Sequence, residues 1–127
     1  MPIILVVDDQ PTIRALLRAA LEREGYRVLE AADGAGALRQ ARSHPDLVLL
    51  DIALPDISGL EVCRRLKADP STAGTPVLLL TGLAQPSDQR SIRAVGAAGC
   101  IEKPFSPADL VSQIRSVLLR QAAAPSR

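Results

Sequence analysis

Aromatic residues are almost missing from this chain of 127 residues, which has no Trp, one Tyr and one Phe. Without them there is no platform on which bases or sugars can stack, and a nucleic-acid role for this domain is disfavoured. An excess of charge is missing too. Fifteen basic and fourteen acidic residues leave a net charge of +1, too small to draw the chain to nucleic acid or an anionic membrane. No apolar stretch is long enough to span a bilayer, and the N-terminus enters a strand with no charged leader or cleavage site, so the expected location is the cytoplasm. The two cysteines, Cys63 and Cys100, lack the spacing of a metal knuckle or a redox pair and read as reduced, buried filler. The single histidine, His44, stands beside Pro45 and reads as a solvated loop residue. Internal repeats are absent, and the length suits one domain.

What the chain does have is three short apolar runs, each ending abruptly in a polar residue. Ile3 to Val7 stops at Asp8 and Asp9, Leu47 to Leu50 stops at Asp51, and Val77 to Leu80 stops at Thr81. Uninterrupted Val, Ile and Leu is the pattern of a strand buried on both faces of a parallel sheet. Two further strands are weaker: Tyr26 to Ala31, which carries Arg27 and Glu30, and Cys100 to Glu102, followed by Lys103 and Pro104. Charge in the first of these fits an edge that resists unwanted pairing.

Helical segments alternate with the strands. Pro11 suits a first helical position, Ile13, Leu16, Leu17, Ala20 and Leu21 share one face, and Gly25 ends the helix. Asp33 and Gly34 open a small-residue helix through about Arg42, and Ser58 with Glu61 reads as a capping box for the next. A weaker helix is expected from about Ser87 to Val95. Ser106, Pro107 and Asp109 start the last one, whose buried face is Leu110, Val111, Ile114, Val117 and Leu118. This is an α/β pattern of five strands and five helices. Right-handed crossovers, with the apolar strands central, favour the order 2-1-3-4-5 with helices on both faces. Residues 1–120 form the domain, and 121–127 read as a flexible tail or the start of a linker.

Parallel strands share one C-terminal rim, so Asp8, Asp9, Asp51, Thr81 and Lys103 are expected to meet there. Three carboxylates at one place repel unless a cation joins them, and hard oxygen ligands without His or Cys suit magnesium better than zinc. A carboxylate, a hydroxyl, an ammonium and a divalent ion together suit phosphoryl transfer. Asp51 is then the nucleophile, held as an acyl phosphate, with Lys103 and Thr81 binding phosphoryl oxygens. Each residue also has a plain structural reading: Asp8 and Asp9 as helix caps, Asp51 as a strand stop, Thr81 as a β-former, Lys103 as a snorkelling edge residue.

Taken together, the motifs Leu5-Val6-Val7-Asp8-Asp9, Leu50-Asp51-Ile52-Ala53-Leu54-Pro55, Leu80-Thr81-Gly82 and Glu102-Lys103-Pro104-Phe105 resemble the receiver domain of bacterial two-component response regulators, over Ile3 to Leu119. The resemblance implies a flavodoxin-like doubly wound fold. It implies that Asp51 accepts a phosphoryl group from a sensor histidine kinase or histidine phosphotransfer protein. It also implies that Asp9, Asp51 and the main-chain carbonyl of Ala53 ligate Mg2+, that Asp8 acts through water, and that the Lys103–Pro104 bond is cis. Helix 4, strand 5 and helix 5 would form dimer or partner contacts. Two positions depart from the family pattern. Cys100 stands where an aromatic switch is usual, so switching is expected to rest on Thr81 and the loop Gly82 to Gln85. Ala53 and Leu83 are apolar where polar groups often influence hydrolytic water. A phosphorylation-independent pseudo-receiver is a competing reading that the acidic set disfavours. An aspartate-nucleophile phosphatase is another, but it wants a second acid where Ala53 stands.

Overall fold

The computed structural model describes residues 1–82 and 86–123. Five strands alternate with five helices: β1 (Ile3–Val7), α1 (Pro11–Arg23), β2 (Arg27–Ala31), α2 (Gly34–Ala41), β3 (Leu47–Asp51), α3 (Gly59–Ala68), β4 (Val77–Thr81), α4 (Pro86–Ala94), β5 (Gly99–Glu102) and α5 (Pro107–Ala123). All pairings are parallel and the order is β2-β1-β3-β4-β5, as the apolar pattern predicts. The charged strands are the edges.

Alternation along the strands divides the interior into two layers. Ile4, Val6, Leu47, Leu49, Leu78 and Leu80 face α1 and α5, where they meet Leu17, Leu21, Leu110 and Ile114. Leu5, Val7, Val48, Leu50, Val77 and Leu79 face the other way, onto Ala37, Val62, Cys63, Leu66 and Ile92. Residues of β3 and β4 are buried throughout, so water reaches these strands only at their ends. Each fully buried Leu or Val contributes about 1.5–3 kcal/mol.

The helix starts follow local chemistry, with differences from expectation. Pro11 opens α1 after Gln10, whose side chain makes no cap. Asp33 caps α2 by accepting from the Gly36 amide at 2.7 Å. Ser58 caps α3 through the Leu60 amide at 3.1 Å, but Glu61 turns to Arg64 and Arg65, so only the Ser58 half of the expected capping box forms. Two guanidinium groups one turn ahead outcompete a single backbone amide for that carboxylate. The last helix continues through Ala123, so residues 121–123 extend α5 where a frayed tail was expected, and 124–127 lie outside the described residues. Leu83, Ala84 and Gln85 also lie outside them, and with them the expected switch loop.

The start of α3 presses directly on β3. A Cβ on Gly59 would stand 2.2 Å from the Asp51 carbonyl oxygen and 2.8 Å from Ile52 Cα. Both neighbours are backbone and cannot swing aside. Gly59→Ala is therefore expected to destabilise the fold by about 2–3 kcal/mol despite the better helix propensity of Ala. Urea unfolding checks this, and a variant as stable as the wild type would contradict the close approach.

Candidate functional site

The sheet carries its polar residues where the apolar runs stop. Asp8 follows β1, Asp51 ends β3, Thr81 ends β4, and Lys103 follows β5. Three of the four are buried: Asp8, Asp51 and Thr81 are 0, 4 and 6% exposed. Asp9 is exposed at the mouth. One carboxylate oxygen from each of Asp8, Asp9 and Asp51 lies within 4.8 Å of the others.

Lys103 joins the buried acids. Its Nζ donates to Asp8 Oδ2 and to Asp51 Oδ2, each at 3.1 Å, so one ammonium bridges the ends of β1 and β3. The Lys103 amide donates to the Thr81 carbonyl at 2.7 Å, which fixes the turn out of β5 beside β4. The Lys103–Pro104 bond is cis. Asp51 Oδ1 accepts from the Ala53 amide at 3.1 Å, and Asp8 Oδ1 accepts from the Gln10 amide at 2.9 Å. Neither Asp8 nor Asp9 occupies the α1 N-cap, and Lys103 turns inward to the acids where a snorkelling residue would point to solvent.

Burial pushes the Asp51 carboxyl above its ordinary value of 3.8. The Ala53 amide and Lys103 pull it down, and the charge of Asp8 pushes it up again. Burial also works against the charge on Lys103, but its hydrogen bonds to Asp51 and Asp8 outweigh this and hold the ammonium above its ordinary 10.5. Three carboxylates and one ammonium carry a formal charge of about −2, which one divalent cation cancels. The donors are all oxygen, and their spread is close to the roughly 4 Å across an octahedral magnesium shell, so the residues fit that ion.

A family model described as "Response regulator receiver domain" matches residues 4–115. The chain belongs to this family. It is a receiver domain of the response regulators of two-component systems, a signalling family. It is 40% identical over 126 residues to the DNA-binding dual master transcriptional regulator RpaA of Synechocystis, covering 98% of this chain and 52% of that relative. It is 41% identical over 125 residues to the alkaline phosphatase synthesis transcriptional regulatory protein PhoP of Bacillus subtilis, covering 97% and 51%. The chain thus spans about half the length of the curated relatives it matches. Among solved structures, a CheY-like receiver domain protein of Methanospirillum hungatei superposes with a TM-score of 0.91 at 31% identity, covering 97% of this chain and 98% of that one. The chemotaxis protein CheY4 of Vibrio cholerae gives 0.88 at 34%, covering 92% and 98%. Receiver domains generally use Mg2+ at an acidic pocket.

The remaining residues divide between expected and unexpected places. His44 is exposed in the α2–β3 turn at φ 57°, away from the rim. Cys63 is buried, as expected, while Cys100 is only partly so, and both are free thiols. Glu30, read as edge protection, pairs with Arg14 and Arg18, and Arg14 donates to the Asp8 carbonyl at 2.7 Å. Six residues of separation off a helix start gave no pattern to reveal that last bond. Asp56 accepts from the amides of Gly34 and Ala35 at 2.8 and 2.9 Å, 22 and 21 residues away.

The raised Asp51 value gives a signed stability prediction for the metal-free chain. A carboxyl whose folded value lies above its unfolded value costs nothing below the unfolded one and destabilises increasingly as pH rises through both. Asp51→Asn is therefore expected to raise the melting temperature by a few degrees at pH 7, with the gain vanishing below about pH 4. Thermal unfolding from pH 3.5 to 8 in chelator tests it, and a gain that grew toward acid would reverse the sign of the argument.

Proposed function

We propose that Asp51 is the phosphoacceptor of a magnesium-dependent signalling switch. The observation that carries the reading is the Lys103 ammonium shared between Asp8 and Asp51 at the mouth of a sheet whose central strands are apolar up to that rim. An Asp51 carboxylate oxygen attacks the phosphorus of a phosphohistidine on a sensor kinase or histidine phosphotransfer protein. The new O–P bond replaces the N–P bond, and the histidine leaves with the electron pair. Lys103 neutralises one phosphoryl oxygen and the Thr81 hydroxyl hydrogen-bonds another. Asp9, Asp51 and the Ala53 carbonyl would hold Mg2+, with Asp8 acting through water, and the ion would neutralise charge on the transferred group.

The acyl phosphate then shifts the domain toward a conformation that exchanges partner or dimer contacts, through α4, β5 and α5. Cys100 is too small to serve as an aromatic wedge, which places the burden of switching on Thr81. The domain works in the cytoplasm, away from the membrane, and does not itself bind nucleic acid. No described helix is long and apolar enough to cross a membrane.

With Mg2+ and acetyl phosphate, intact-mass measurement is expected to show one base-labile phosphoryl group on the wild type and none on Asp51→Asn. Equal labelling of the two would defeat the assignment. Asp9→Asn is expected to weaken magnesium binding about tenfold or more through loss of a direct ligand.

Lifetime follows from the same site. Ala53 offers no side-chain group to orient an in-line water, and neither does Leu83 by its chemistry, so self-dephosphorylation is expected to be slow. Ala53→Asn combined with Leu83→Gln is expected to speed phosphate release about tenfold or more. Release at an unchanged rate would remove this explanation.

A further inference from the structure

The loop from Ile52 to Ser58 carries Ala53 to the mouth of the site. Its two ends are fastened by backbone: the Ile52 amide donates to the Leu80 carbonyl at 3.0 Å, and the Ile52 carbonyl accepts from the Gly59 amide at 2.8 Å and the Leu54 amide at 3.1 Å. The stretch between them is held differently, by a side chain. Asp56 spreads its two oxygens over the first two amides of α2, Oδ1 on Gly34 at 2.8 Å and Oδ2 on Ala35 at 2.9 Å. Those amides hold the Asp56 carboxyl down at about 2, so it is ionised near neutral pH. Beside it, Ile57 packs so closely on Gly34 that a Cβ there would stand 2.4 Å from Ile57 Cγ1. The loop is thus pinned to α2 by two polar bonds and one apolar contact.

Asp56 is not needed to start α2, because Asp33 already caps that helix through the Gly36 amide. The first two amides of a helix have no partner within it, and a carboxylate there meets the positive end of the helix dipole. The Asp56 pairing therefore ties two separate elements together. Asp56 follows directly on Ala53, Leu54 and Pro55, so the bond constrains that segment.

We propose that Asp56 is a positioning residue for the phosphoacceptor site, fixing the loop so that the Ala53 carbonyl is already placed for the metal. This rests on the magnesium reading above. Preorganisation spares the loop an ordering cost when the ion binds, so loosening the anchor lowers metal affinity although Asp56 touches neither metal nor substrate.

The test compares four chains: wild type, Asp56→Ala, Asp56→Asn and Asp33→Ala. Magnesium dissociation constants are read by titration of the metal-free chains, with amide hydrogen exchange at Ala53 and Leu54 as a readout without metal. Asp56→Ala is expected to bind Mg2+ about three- to tenfold more weakly and to exchange faster at both amides. Asp56→Asn keeps a carbonyl acceptor and is expected to fall between Asp56→Ala and wild type. Asp33→Ala loosens the start of α2 without touching the loop, so it lowers the melting temperature but leaves the dissociation constant unchanged. Wild-type affinity in Asp56→Ala overturns the inference while leaving the magnesium site intact, and so does equal weakening in Asp33→Ala. A wild type that binds no magnesium overturns the reading of the site and this inference with it.

Discussion

Burial of β3 and β4 on both faces, and of β1 over nearly its whole length, is the constraint from which the site follows. Strands covered by α1 and α5 on one side and α2, α3 and α4 on the other have no surface on which to carry a polar side chain. Polar chemistry is confined to the ends. Parallel pairing then puts the C-terminal ends of β1, β3, β4 and β5 on one rim, and the registers align Val7 with Leu50, Asp51 with Leu80 and Thr81 with Glu102. Asp8, Asp51, Thr81 and Lys103 each come one step along from those pairs or belong to them. The platform is rigid because it is apolar, and a rigid platform is what electrostatic positioning requires.

Much of this was legible in the chain because two independent periodicities agree. Runs such as Leu47 to Leu50 are too short for a helix and too apolar for an exposed strand, while Ile13, Leu17 and Leu21 repeat only as a helix does. The charges on Arg27 and Glu30 pointed to an edge for β2, and right-handed crossovers with the apolar strands central favoured the order that the sheet has. What the pattern could not carry was the use made of long-range polar contacts. Glu30 belongs to a cluster with Arg14 and Arg18, and Asp56 finds its partners 21 and 22 residues back at the start of α2. Such bonds depend on which loop lies beside which helix end, and no local spacing records that. Glu61 failed as a capping residue for a related reason: its neighbours Arg64 and Arg65 offered stronger partners than the expected amide.

The surroundings of the acidic cluster show how the fold tolerates buried charge. Asp8 has no exposure at all, and its carboxylate is met by an ammonium and a backbone amide. Among the described residues, no buried side-chain polar atom is left without a partner. Satisfied in this way, the cluster costs the fold less than its burial suggests, yet Asp51 still sits above its ordinary value. A residual destabilisation at Asp51 is the expected signature of a site shaped for a group it does not yet carry, in line with its proposed role as phosphoacceptor.

That group changes the balance at Lys103. The ammonium now divides itself equally, 3.1 Å from Asp8 and 3.1 Å from Asp51. Phosphorylation would replace the single negative charge of Asp51 with a phosphoryl group of about −2, carrying three acceptor oxygens further from β3. If Lys103 turned to those oxygens and away from Asp8, that fully buried carboxylate would lose its cation, a loss it tolerates only if another takes its place. Asp8, Asp9 and Asp51 could hold a divalent ion, which would supply that replacement. On the proposed reading the two contacts would be coupled: with a cation near Asp8, bound through water, Lys103 would be free to turn to the phosphoryl oxygens, and neither contact would be complete without the other.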